Sequence, residues 1–150
     1  MYQKILVPTD GSETATCGLR EAIKLAKEQH ARIRLIHVVD EFVMASPYGI
    51  VVDRVIDQLC TAGKSILANA QEIAQEAGIT VDTQLVEAFG TPAGEHIAKA
   101  AREWPADLIV CGTHGRRGLR RIVLGSDAEY LVRHTPVPIL LIRATGSLPD

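Results

Sequence analysis

Aromatic residues are scarce in this chain, at 4% of 150 residues, and cysteine is confined to Cys17, Cys60 and Cys111. Three widely spaced cysteines leave one unpaired in any disulfide scheme. No C-x-x-C occurs, so neither a thioredoxin-type site nor a zinc ribbon is indicated. No apolar run approaches the ~18 residues of a membrane span. Met1-Tyr2-Gln3-Lys4 leads straight into a strand, without the apolar core of a signal peptide. A strong charge of one sign is missing too. The net charge of −2 is unlike the basic balance of a general nucleic-acid binder. The expectation is a cytoplasmic protein that partners neither membrane nor nucleic acid.

What is present describes a globular protein: 47% hydrophobic and 23% charged residues. Residues 1–150 have the length of one domain. Such a chain buries about 68–70% of its unfolded surface and needs no metal or disulfide to hold a core. Ile5-Leu6-Val7 reads as a short buried strand stopped by Pro8 and the turn Asp10-Gly11. Ser12 or Thr14 can cap a helix that runs to about His30 with Leu19, Ile23 and Ala26 inward. Residues 33–39 form the second strand, and 40–52 read as a loop or lid. A long helix over 53–77 turns Ile56, Leu59, Ile66, Leu67, Ala70, Ile73 and Ala74 inward and closes at Gly78. The third strand is predicted over 79–87. A helix opens at Thr91-Pro92 and ends near Trp104-Pro105. Strand four covers 107–111, a helix runs from about Ser126 to His134, and strand five covers 137–142. Apolar strands alternating with helices indicate a doubly wound α/β domain with a parallel sheet covered on both faces.

The most informative pattern follows strand four. Gly112-Thr113-His114-Gly115 is followed by nine residues and then by Gly125-Ser126 at the head of a helix. Glycines bring bare backbone N–H groups close to a ligand. A helix N-terminus adds unpaired amides and the positive end of a dipole, which favour an anion. Five arginines (116, 117, 120, 121 and 133) stand against Asp127 and Glu129 in this stretch, a local basic surplus. Any one of these arginines reads equally well as part of a solvated helix face.

On these residues the chain resembles the universal stress proteins, in the branch that binds ATP through a G-x2-G-x9-G-(S/T) signature. The opening Ile5-Leu6-Val7-Pro8-Thr9-Asp10-Gly11-Ser12 and the closing Thr135-Pro136-Val137-Pro138-Ile139-Leu140-Leu141-Ile142 share the resemblance, which runs over essentially the whole chain. It implies a five-stranded parallel sheet in the order 3-2-1-4-5, of the adenine nucleotide alpha hydrolase-like type. It also implies a homodimer paired through strand 137–142, and a nucleotide-dependent regulatory role in the stress response with a downstream protein partner. With that order, the loops after strands one and four meet where strand order reverses, the usual ligand crevice. A flavodoxin-like order 2-1-3-4-5 would instead pair Asp10 with Gly90.

The nucleotide-binding residues implied are Pro8, Thr9 and Asp10 after strand one and Val38 and Val39 on strand two. Gly112, Thr113, His114, Gly115, Arg116, Gly125, Ser126 and Asp127 complete the set. ATP is the implied ligand, with Mg2+ or Mn2+ as the cation that would separate Asp127 from a phosphate. Asp10 also suits a plain turn before glycine, and Asp127 also suits the first turn of a helix. Ser126 reads as an N-cap that donates to phosphate. Ala62-Gly63-Lys64-Ser65 imitates the end of a Walker A loop, but position 58 is Gln58 and no strand precedes it. The five histidines show no pair at metal-ligand spacing. Ser126, His114 and Asp10 could converge, yet Leu124 and Ala128 break a G-x-S-x-G elbow. A binding module is therefore favoured over an enzyme, with slow ATP hydrolysis or a nucleotide-free interaction protein as the rivals.

Overall fold

Pro8 ends the first strand by completing it rather than by stopping short of it. In the computed structural model, which describes residues 1–40, 52–88, 90–113 and 124–144, β1 spans Lys4–Pro8 and Pro8 pairs in register with Ile36. The other elements are α1 (Glu13–Gln29), β2 (Arg32–Asp40), α2 (Val52–Glu76) and β3 (Val81–Ala88), then α3 (Ala93–Glu103), β4 (Leu108–Gly112), α4 (Ser126–His134) and β5 (Ile139–Ile142). The predicted lid falls on residues of which 41–51 lie outside the described ones.

All neighbouring strands pair in parallel, in the order β3-β2-β1-β4-β5. The flavodoxin-like alternative is thereby ruled out. Alternation along the strands divides the core in two. On one face Ile5, Val7, Ile33 and Leu35 pack with Leu19, Ile23 and Ala26 of α1 and Leu67, Ala70 and Ala74 of α2. On the other, Leu6, Ile36 and Ile109 pack with Ile97 and Ala101 of α3, Trp104, and Ala128 and Leu131 of α4. The central strands β1 and β4, buried on both faces, carry unbroken apolar runs, whereas β2 and β3 interleave polar residues.

Local chemistry fixes the ends of these elements. Ser12 is the cap of α1, its Oγ accepting from the Ala15 N–H at 3.1 Å. Gly78 holds φ 79°, donates to Gln75 O at 2.9 Å, and leaves Ile79 N to reach Ala74 O at 2.9 Å. This double closure is the helix stop expected of a C′ glycine. It also removes Ile79 from the sheet, so β3 starts at Val81 rather than 79. At the other end, Val137 N donates to Thr135 Oγ1 at 3.2 Å. That local turn delays β5 to Ile139.

Candidate functional site

The C-terminal end of β1 is braced from below. Thr9 is buried, donates its N–H to Ile36 O at 2.9 Å and accepts at its own carbonyl from His37 Nδ1 at 2.7 Å. A carbonyl can only accept, so Nδ1 carries the proton in this contact. The His37 ring is clamped by α2. A Cβ added at Gly63 would stand 2.7 Å from His37 Cδ2 and 2.8 Å from Leu85 Cδ1. Gly63, the glycine of the false Walker A tail, is therefore explained by packing. Beyond Thr9 the chain turns: Gly11 has φ 77°, and Ser12 N donates to Asp10 Oδ1 at 2.9 Å. Asp10 thus shapes the turn that presents Ser12 to α1.

The end of β4 meets this loop through α1. A Cβ at Gly112 would lie 2.7 Å from Thr14 Cγ2 and 2.9 Å from the Thr14 carbonyl carbon. The first glycine of the signature is bare because the start of α1 occupies its side-chain space. Thr113 N then donates to Ile142 O at 2.9 Å, and Thr113 O accepts from Gly125 N at 2.7 Å. The residues flanking 114–123 are thereby joined, and the N-terminus of α4 sits at the end of β4. His114, Gly115 and Arg116, with Arg117, Arg120 and Arg121, lie outside the described residues.

The cap of α4 differs from expectation. Gly125, not Ser126, is the N-cap; its carbonyl accepts from Glu129 N at 2.9 Å while Ser126 is the first helical residue and exposed. Glycine has no side chain to cap with, and among the described residues no side-chain cap bond is made here. Asp127 stands in the first turn of α4. Its Oδ1 accepts from Gly94 N at 3.0 Å, at the start of α3. It also acts on Cys111, whose thiol is pushed from 9.0 up to about 12, first by burial and then by the Asp127 charge.

Pro8, Thr9, Asp10, Gly112, Thr113, Gly125 and Ser126 accordingly gather around the C-terminal ends of β1 and β4, where strand order reverses. Val38 packs toward the α3–α4 face, and Val39 is buried at 2% exposure. In the sequence Thr14 reads only as a possible cap of α1 and His37 only as one of five histidines, and Gly94 carries no assignment; a glycine inside the first turn of α3 is the signal of a close helix approach. The first turn of α4 supplies amides that a helix cannot satisfy itself, and Asp127 directs an oxygen to Gly94.

Comparison with known proteins agrees with this geometry. The model of the universal stress protein family matches residues 1–143. A universal stress protein of Methanocaldococcus jannaschii is 36% identical over 148 residues, covering 95% of this chain and 83% of the relative. A universal stress family protein of Burkholderia pseudomallei superposes with a TM-score of 0.77 at 36% identity, covering 94% of this chain and 96% of its own. The hypothetical protein MJ0577 reaches a TM-score of 0.85 at 29% identity over 98% of this chain and 99% of its own. Two further neighbours at 23% identity share the fold: one from Archaeoglobus fulgidus in complex with dAMP (TM-score 0.69) and one in complex with cAMP (TM-score 0.67).

Proposed function

The chain belongs to the universal stress protein family, and from that premise we propose that it binds an adenine nucleotide, ATP foremost, between the ends of β1 and β4. The observation that carries this reading is the 2.7 Å bond from Gly125 N to Thr113 O. It fixes a helix N-terminus beside the end of β4, while Gly112 rests on the start of α1 after the Asp10 loop. Relatives of the same fold crystallised with dAMP and cAMP support an adenine nucleotide as the class of ligand.

In this reading the Asp10 loop, with Val38 and Val39 behind it, receives base and ribose. The amides of the α4 first turn and the Ser126 hydroxyl receive phosphate. Gly115 leaves room for it, and Thr113, His114 and Arg116 add donors and positive charge. Mg2+ or Mn2+, carried in with the nucleotide, would neutralise phosphate charge. The protein acts as a homodimeric regulatory module in the cytoplasm, its nucleotide state read by another protein during stress. Neither turnover nor a nucleophile is required.

The test is mass spectrometry of ligand released by heating the purified protein, together with ATP titration. Co-purified ATP or ADP, or direct ATP affinity, is the expected result. An empty protein with no affinity for added ATP would sink the proposal. Steady phosphate release would turn the module into a slow hydrolase.

A further inference from the structure

We propose that Asp127 is a positioning residue for the phosphate end of the site, acting through α3 rather than by touching ligand. The inference rests on the nucleotide-binding reading above. The N-cap of α3 is Pro92, which makes no side-chain capping bond. Asp127, reaching over from α4, supplies the missing acceptor at Gly94 N, 3.0 Å away. A carboxylate at this place meets the positive end of the α3 dipole. At the same point the two helices approach at backbone distance: a Cβ on Gly94 would stand 2.8 Å from Tyr130 Cβ. Asp127 and Tyr130, one turn apart on α4, straddle Gly94.

The first turn of α4 is therefore held at two points. Gly125 ties it to Thr113 at the end of β4, and Asp127 ties it to the start of α3. Between the two ties lies Ser126, whose amide and hydroxyl the nucleotide reading assigns to phosphate. The Asp127 bond sets the direction of that turn.

Calorimetric titration of ATP and of adenosine into wild type, Asp127→Ala and Asp127→Asn tests this, alongside hydrogen exchange at the Gly94 amide. Asp127→Ala should weaken ATP by about tenfold, the loss of one hydrogen bond to a charged group. Adenosine affinity should hold, and Gly94 exchange should accelerate. Asp127→Asn keeps an acceptor oxygen and should restore ATP affinity and Gly94 protection. Should the alanine variant fail to fold, Asp127→Glu keeps the charge but overshoots Gly94, and should weaken ATP selectively. Equal ATP affinity in wild type and the alanine or glutamate variant overturns the inference, as does parallel loss of ATP and adenosine. A wild-type protein that binds no ATP overturns the nucleotide reading itself, whatever the Gly94 amide does.

Discussion

Gly112 and Thr14 occupy the same space. The side chain that Gly112 lacks would fall 2.7 Å from Thr14 Cγ2 and 3.0 Å from the Thr14 carbonyl oxygen. A backbone neighbour cannot swing aside as a flexible side-chain tip can. Gly112→Ala should therefore push the start of α1 away from β4, at about 1–3 kcal/mol for overpacking of this kind. Thermal melts of the two proteins check it. An unchanged melting temperature would show that α1 is not held against Gly112.

This glycine also marks where sequence reading stopped. The element types were legible because β1, β4 and β5 are short apolar runs and the helices repeat Leu19, Ile23 and Ala26 or Leu67, Ala70 and Ala74 at helical spacing. Strand order was not written in any periodicity and came from family likeness. Boundaries failed where a local hydrogen bond competed with the sheet. Ile79 spends its amide on Ala74 and Val137 on Thr135, so both leave strands that hydropathy had given them. The glycine signature was visible as a pattern, but the reason for Gly112 was not. That reason lies in Thr14, ninety-eight residues earlier by subtraction of their numbers and adjacent only in three dimensions. Likewise the bond from Gly94 N to Asp127 joins residues thirty-three positions apart and has no signal in the sequence.

Asp10 separates into two roles by substitution. Its Oδ1 accepts from Ser12 N, and Ser12 caps α1. Asp10→Asn preserves that acceptor, whereas Asp10→Ala removes it. If Asp10 recognises base or ribose, Asp10→Ala should weaken adenosine-containing ligands while inorganic polyphosphate binds as before. Parallel weakening of both would mean that the residue works only by shaping its loop. Restoration of both by Asp10→Asn would strengthen that conclusion.

Cys111 provides a pH test. In the unfolded chain its thiol ionises near 9.0, whereas the folded protein holds the proton to about 12. The unfolded state therefore loses a proton that the folded state keeps. The stability this group contributes is complete below pH 9 and declines as pH rises from 9 toward 12, by about 1.4 kcal/mol per pH unit at most. Denaturant midpoints of wild type and Cys111→Ala should converge across that window, because the alanine variant lacks the slope. Fast alkylation of Cys111 at pH 8 in folded protein would contradict the burial from which the shift arises.

The open edge of β5 yields the last prediction. β5 closes the described sheet next to β4, with Pro138 and Ile142 carbonyls accepting from Ile109 and Thr113 amides at 2.9 Å. Alternation along a strand then turns the amides of Ile139 and Leu141 away from β4, toward the free edge. Both side chains pack against the α3–α4 face, so a charged replacement such as Leu141→Lys would disturb the fold as well as any partner. Leu141→Pro gives up the same packing but introduces no charge; it deletes an outward amide, leaves the bonds to β4 in place, and suits an edge strand. We expect wild type to be a dimer joined edge to edge about a two-fold axis, which satisfies both exposed edges at once. Light scattering should give a mass near twice the 16.2 kDa chain, and Leu141→Pro should give a folded monomer. A wild-type mass of one chain at micromolar concentration would rule the dimer out. A variant that stays dimeric would move the interface elsewhere on the molecule.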